Sequence, residues 1–156
     1  MPEPAIVERV GRRCSIARSL EVIGEKWSIL IVREAFWGRT RFSQFRDALG
    51  VSSDILTDRL ATLVDGGVLE RVPYREAGSR ERFSYHLTEA GRELKPVLAA
   101  LNGWGEANRP SEYGRSAEYR DAVTGEPVEL AFHTADGRLV PDDDVTFVRG
   151  PAVVAP

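Results

Sequence analysis

With 156 residues, 42% of them hydrophobic and 29% charged, the chain has the composition of a soluble globular protein with room for one substantial core and a small appendage. Its net charge of −3 is uneven: residues 1–109 carry 17 Lys and Arg against 15 Asp and Glu, a balance of +2, whereas residues 110–156 carry 4 against 9, a balance of −5. No apolar run reaches the roughly 18 residues of a membrane span, residues 1–13 are polar and lack the apolar stretch of a secretion signal, and the lone Cys14 excludes an intrachain disulfide or a multi-cysteine zinc site while leaving a bridge between two chains open.

These features point to a cytoplasmic location and to no membrane association. The predicted elements begin with two amphipathic helices. Residues 14–24 place Ile16, Ala17, Leu20 and Ile23 on one stripe, and residues 25–36 repeat the pattern with Trp27, Leu30, Ile31 and Ala35. Gly24 marks the junction and Gly38 follows the second helix. A third helix spans residues 42–49 with Phe42, Phe45 and Leu49 inward. Gly50 supplies a corner, and Ser52 or Ser53 caps a fourth helix with Leu56, Leu60, Leu63 and Val64 on its inner face.

Two strands follow, residues 68–74 and 83–87, around a polar loop bearing Arg75, Arg80 and Arg82. Thr88 reads as the cap of one long helix over residues 89–108, bent at Pro96, with Leu94, Val97, Leu98, Leu101 and Trp104 on a stripe. The tail is rich in glycine and proline and contains three β-type runs, residues 128–134, 137–140 and 145–148, with Ala135-Asp136-Gly137 as a hairpin signal. The expected architecture is mainly α with a β-hairpin wing, a winged helix-turn-helix over residues 1–109, plus a small acidic C-terminal β-ribbon over residues 110–156.

A helix narrow enough for the major groove beside a basic hairpin is an arrangement that reads duplex DNA. Ser52, Ser53, Asp54, Thr57 and Asp58 are short polar groups on the fourth helix, suited to close approach to base edges or phosphates. Arg59 lies within reach of a phosphate or a guanine edge. Arg75, Arg80 and Arg82 can enter a narrow minor groove from a mobile loop, and Arg39 and Arg41 are candidate backbone clamps. The apolar stripe of Leu94, Leu98, Leu101 and Trp104, together with Leu20 on the first helix, is expected to serve dimerisation, which would make the DNA site palindromic. Trp27 and Trp104 also suit an effector pocket between helices, although core and dimer-seam roles are the simpler reading. His86 is expected on the solvent side of its strand, and His133 stands alone in the tail. Neither has a ligand-spaced partner, so no metal, no cofactor and no catalytic site are expected.

Four segments carry a family resemblance: Cys14-Ser-Ile-Ala-Arg-Ser-Leu-Glu-Val-Ile-Gly-Glu-Lys-Trp27; Arg41-Phe-Ser-Gln-Phe45; Leu56-Thr-Asp-Arg-Leu60 with Gly67-Val-Leu-Glu-Arg71; and Tyr85-His-Leu-Thr-Glu-Ala-Gly-Arg92. In order and spacing they resemble the HxlR-type winged-helix transcriptional regulators, distant relatives of the MarR type, over residues 14–104. The resemblance implies a homodimer that binds DNA through residues 53–64 and controls nearby transcription, with repression the expected mode and a small-molecule or redox signal as input. It also implies that Cys14 occupies a position used as a redox-sensing thiol in some relatives, where the alternative is a thiol that simply packs at a helix start. Two departures stand out. Asp54 replaces a residue that is often basic or an amide, and Asp58 one that is often an amide. The C-terminal extension lacks the cysteine pairs that some members carry. The carboxylates and the acidic tail favour an alternative reading, a winged-helix module that binds another protein and not DNA. An enzyme built on Cys14 has no neighbouring catalytic motif to support it.

Overall fold

A computed structural model describes residues 11–151 of the chain. The polar N-terminal stretch discussed above lies outside the described residues up to position 10. The chain divides into two compact units, 1–94 and 95–156.

The first unit opens with α1 (Ser15–Ile23), α2 (Lys26–Phe36), α3 (Phe42–Leu49) and α4 (Ser53–Asp65). Helix α2 is the hub and packs against α1, α3, α4 and the second strand of the hairpin. Its inner residues Ile31 and Val32 are fully buried, and they meet a core that includes Phe45, Leu56, Leu60, Leu63 and Leu69. Burying a side chain of this size contributes on the order of 1.5–3 kcal/mol, so the leucine stripe of α4 fixes which of its faces remains in water. Gly50 turns the chain between α3 and α4. Its φ of +61° is the left-handed conformation that glycine adopts without a Cβ clash, and its N–H donates to the Arg46 carbonyl at 2.8 Å.

The hairpin consists of β1 (Leu69–Tyr74) and β2 (Arg82–Leu87), antiparallel and in register from Leu69 opposite Leu87 to Tyr74 opposite Arg82. A strand with one face in water would alternate between buried and exposed side chains, but residues 83–87 of β2 are all half-buried. Helices α2 and α3 both pack against β2, which also has a partner on each edge. The strand has β1 on one side and residues 40–41 on the other, where the Tyr85 N–H donates to the Thr40 carbonyl at 2.7 Å and Arg41 bridges Ser84. His86 is therefore half-buried instead of facing solvent, and its Nε2 lies 2.9 Å from the Ser84 hydroxyl.

The single long helix expected after Thr88 is two pieces, α5 (Glu89–Arg92) and α6 (Lys95–Asn108). Thr88 does act as a cap, its hydroxyl oxygen accepting from the Gly91 N–H at 3.0 Å. The short α5 turn is pressed onto the start of the hairpin so tightly that a Cβ on Gly91 would stand 2.1 Å from the Val68 carbonyl oxygen. The chain then restarts as α6, which puts Pro96 in a first turn where its missing N–H costs no helical bond. Proline consequently begins a helix here and does not bend one.

In the second unit, Glu106 of α6 accepts hydrogen bonds from the Ser116 N–H and hydroxyl at 2.8 and 3.0 Å, tying the helix to the segment that follows. Residues 119–128 fold back on themselves, with the Val128 N–H on the Tyr119 carbonyl and the Asp121 N–H on the Glu126 carbonyl. A short hairpin joins β3 (Phe132–His133) to β4 (Leu139–Val140) around the Asp-Gly turn, as the turn chemistry predicts. The run at residues 145–148 is not a strand: no ladder partner lies beside it among the described residues, and Phe147 is 95% exposed. No described residue of this unit is buried, so its turns are held by backbone and side-chain hydrogen bonds instead of a core.

Candidate nucleic-acid interface

The corner between α3 and α4 sets the site. Val51 is buried and anchors the turn. Ser52 occupies the N-cap of α4 with its hydroxyl oxygen accepting from the Ile55 N–H at 3.4 Å, which leaves the hydroxyl hydrogen available to an outside acceptor. Because Leu56, Leu60 and Leu63 point inward, Ser53, Asp54, Thr57, Asp58 and Ala61 lie exposed along the opposite edge. The Thr57 hydroxyl donates to the Ser53 carbonyl at 2.8 Å. It therefore offers the outside its lone pairs and its methyl group, a surface suited to an amino donor or a thymine methyl. Ile55, 42% exposed at the head of the helix, was not singled out from sequence. Its signal is that it falls off the leucine stripe. Arg59 is half-buried one turn on.

The basic side chains fall into two classes. Arg75, Arg80 and Arg82 are exposed on the hairpin loop. That loop carries a compact turn in which the Ser79 N–H and hydroxyl both reach the Glu76 carbonyl at 3.0 Å. Arg39 and Arg41 are held by the protein itself. Arg39 donates to Oε2 of Glu34, a carboxylate only 2% exposed, while Arg33 takes Oε1 of the same group at 2.5 Å. Arg41 lies with its guanidinium carbon 4.8 Å from the centre of the Tyr74 ring and donates to Glu76 at 2.7 Å. The side chain of Gln44 reaches back to accept from the N–H groups of Thr40 and Arg41 at 3.0 and 2.9 Å, which fixes the start of α3 against the hairpin.

Between the hairpin and α3 lies an open cleft of about 590 Å³, where Arg41, Arg46, Arg80 and Arg82 converge with Tyr74 and Glu81. Sequence reading did not find Arg46. Its signal is the four-residue spacing from Phe42, which places both on the side of α3 that turns to the wing. The Asp54 and Asp58 carboxylates stay exposed on α4, within a surface otherwise suited to anions.

Of the other sequence-identified residues, Cys14 is half-buried at the N-cap of α1, its sulfur accepting from the Ala17 N–H at 3.4 Å. Leu20 is exposed on α1. In the second unit Leu101 and Trp104 are exposed and Leu98 is half-buried, while Leu94, at the end of the first unit, is half-buried. Among the described residues no three His, Cys, Asp or Glu side chains group as metal ligands, and no helix is long and apolar enough to cross a membrane.

A family model described as HxlR-like helix-turn-helix matches residues 22–113. The chain is 41% identical over 130 residues to the uncharacterized HTH-type transcriptional regulator Rv3095 of Mycobacterium tuberculosis, covering 81% of this chain and 74% of that protein. The solved structure of PA1607, a candidate transcription factor, superposes with a TM-score of 0.75 at 38% identity, over 92% of this chain and 99% of that one. The reduced form of the redox regulator HypR superposes with a TM-score of 0.55 at 32% identity, over 62% of this chain and 94% of that one.

Proposed function

The chain belongs to the HxlR-like helix-turn-helix family, whose members are HTH-type transcriptional regulators, and we propose that it acts as a homodimer that binds a palindromic duplex site sequence-specifically and represses transcription. In this reading α4 lies in the major groove. Ser53, Asp54, Thr57 and Asp58 read base edges there, with Asp54 accepting from a cytosine N4 amino group. Ser52, Arg39, Arg41 and Arg59 hold phosphates, and Arg75, Arg80 and Arg82 hold the backbone or the adjacent minor groove.

The observation that carries the reading is the two-sidedness of α4. Its leucines are fully buried while every short polar side chain of its first two turns is exposed, beside a hairpin that bears three exposed arginines. Dimerisation is supported by exposed apolar side chains for which a monomer has no use, Leu20 at 42%, Leu101 at 54% and Trp104 at 60%. Leu98, one turn before Leu101 on α6, extends that stripe, whereas Leu94 lies in the break before the helix. A two-fold pair would present its two α4 helices to half-sites about 34–36 Å apart.

A signal input at Cys14 fits the same reading. Its thiol caps α1, so oxidation would replace a cap at the helix start, and HypR is a redox regulator by name. Cys14→Ser preserves a capping oxygen and removes the oxidisable sulfur. It should keep DNA affinity and lose any release by oxidant. A small-molecule effector is the other form of input the family reading allows.

An electrophoretic shift with the upstream region of the protein's own gene, run at two salt concentrations, tests the proposal. A shift that weakens steeply with salt is expected. A folded dimer that gives no shift at low salt would instead favour a protein-binding module, the reading that the exposed Asp54 and Asp58 support.

A further inference from the structure

We propose that Glu76 is an internal stand-in for a nucleic-acid phosphate: its carboxylate holds Arg41 at the cleft between the hairpin and α3, and a backbone phosphodiester takes its place when duplex DNA binds. The inference rests on the DNA-binding reading above and adds a self-competing contact that sets affinity and salt dependence.

Arg41 and Glu76 are 35 residues apart in sequence, yet they meet at 2.7 Å. The two side chains are 47% and 50% exposed, so the pair is open to water and weak enough to exchange. Arg41 would not lose its orientation in the exchange. Its guanidinium is stacked on Tyr74, and its backbone is fixed by Gln44 and by the bridge to Ser84. Glu76 needs only to rotate its side chain, because its backbone carbonyl stays engaged by Ser79.

Its neighbours make the cleft suitable for an extended polyanion. Arg80 and Arg82 face it with no carboxylate partner among the described residues, and Arg46 shares only its sequence neighbour Asp47, at 3.1 and 3.2 Å. Of these four cations, Arg41 alone is paired, among the described residues, with a carboxylate distant in sequence, Glu76 of the hairpin loop. A phosphodiester can offer the guanidinium the same paired oxygens that a carboxylate offers. The cost is counterion bookkeeping: Arg41 enters the complex already paired, and the released Glu76 must recruit a cation, so this contact contributes little to counterion release.

The test uses a labelled duplex of mixed sequence, since phosphate contacts do not depend on sequence. Binding is measured by fluorescence anisotropy over a range of salt for the full chain, Glu76→Gln, Arg41→Gln, the double variant and Glu81→Gln, with thermal melts confirming the fold. Glu76→Gln should tighten binding several-fold at about 0.1 M salt and steepen the log–log salt slope by about 0.9. Both effects should vanish in the Arg41→Gln background. Glu81→Gln, which removes a cleft carboxylate without a guanidinium partner, should leave the slope nearly unchanged. Equal gains from Glu76→Gln with and without Arg41, or equal steepening by Glu81→Gln, would reduce Glu76 to a general repulsive charge and overturn the inference while leaving DNA binding intact. Inorganic phosphate competing through Arg41 beyond an ionic-strength-matched chloride control would assign the cleft to a free anion and overturn it as well. Absence of binding by every variant at low salt would remove both this inference and the function on which it rests.

Discussion

Arg39 ends on the buried carboxylate of Glu34, and Arg33 occupies the other oxygen of the same group. One buried anion thus orients two cations at the end of α2. A carboxylate in this position is stable only while it is paired, and the burden is unequal. Removing the carboxylate leaves two half-exposed guanidiniums that water can serve, together with a polar gap in the core. Removing Arg39 leaves Arg33 in place. Arg39→Ala should therefore cost about 1 kcal/mol, and Arg33→Ala with Arg39→Ala together, which strands the buried carboxylate, roughly 3 kcal/mol or more, read from urea denaturation midpoints. A double variant no less stable than Arg39→Ala alone would mean that Arg33 gives the carboxylate no support.

The junction between α5 and the hairpin should tolerate no added atom. A methyl group on Gly91 would meet the Val68 carbonyl oxygen at 2.1 Å, against backbone that cannot give way. Gly91→Ala should cost about 3 kcal/mol by overpacking, visible as a large fall in melting temperature. Ala90→Gly, at the exposed neighbouring position, should cost about 1 kcal/mol or less.

Ser28 offers the opposite case. It is 1% exposed in α2, and its hydroxyl has no hydrogen-bond partner among the described residues. A buried hydroxyl without a partner is a net cost, so Ser28→Ala should stabilise the protein by about 1 kcal/mol. A fall in the denaturation midpoint would show that the hydroxyl is satisfied in solution.

The second unit should respond to acid. The Ser116 N–H holds the Glu106 carboxyl below the usual range, with the Ser116 hydroxyl and Arg115 adding to the effect. The N–H groups of Val123 and Thr124 do the same for Asp121, and the Thr134 hydroxyl leads for Asp136. Each is more acidic folded than unfolded, so its stabilisation is present above pH of about 4, the unfolded carboxyl range, and is lost as pH falls through the folded value. Protection factors at the Ser116, Val123 and Thr124 amides, taken from exchange rates corrected for their intrinsic pH dependence, should fall below that point. Asp121→Asn keeps an acceptor and should remove the pH dependence at Val123 and Thr124.

Much of the first unit was legible in the sequence because its signals are local. The leucine stripe of α4, the glycine corner at Gly50 and the Thr88 cap each lie within one turn of what they control. What could not be read locally depends on distant partners. The break after Arg92 follows from the docking of Gly91 on Val68, and the half-burial of His86 from the elements gathered around β2. Residues 145–148 have strand composition, but a strand exists only with a ladder beside it. At the site, sequence reading found the exposed edge of α4 and the loop arginines. It could not find that Arg39 is tied to a buried anion, nor that Arg41 is already paired with Glu76 of the hairpin loop.

The division of labour between α4 and the hairpin is tested most directly by selecting bound sequences from random duplex DNA with the unaltered protein, with Asp54→Ala and with Arg80→Ala and Arg82→Ala. The account predicts a palindromic preference that changes at one symmetric position in Asp54→Ala. It predicts the same preference in both arginine variants, with binding weakened on every sequence and the salt slope flattened by about 1. An unchanged preference with uniformly tighter binding in Asp54→Ala, or a preference that shifts only when the hairpin arginines are removed, would contradict it.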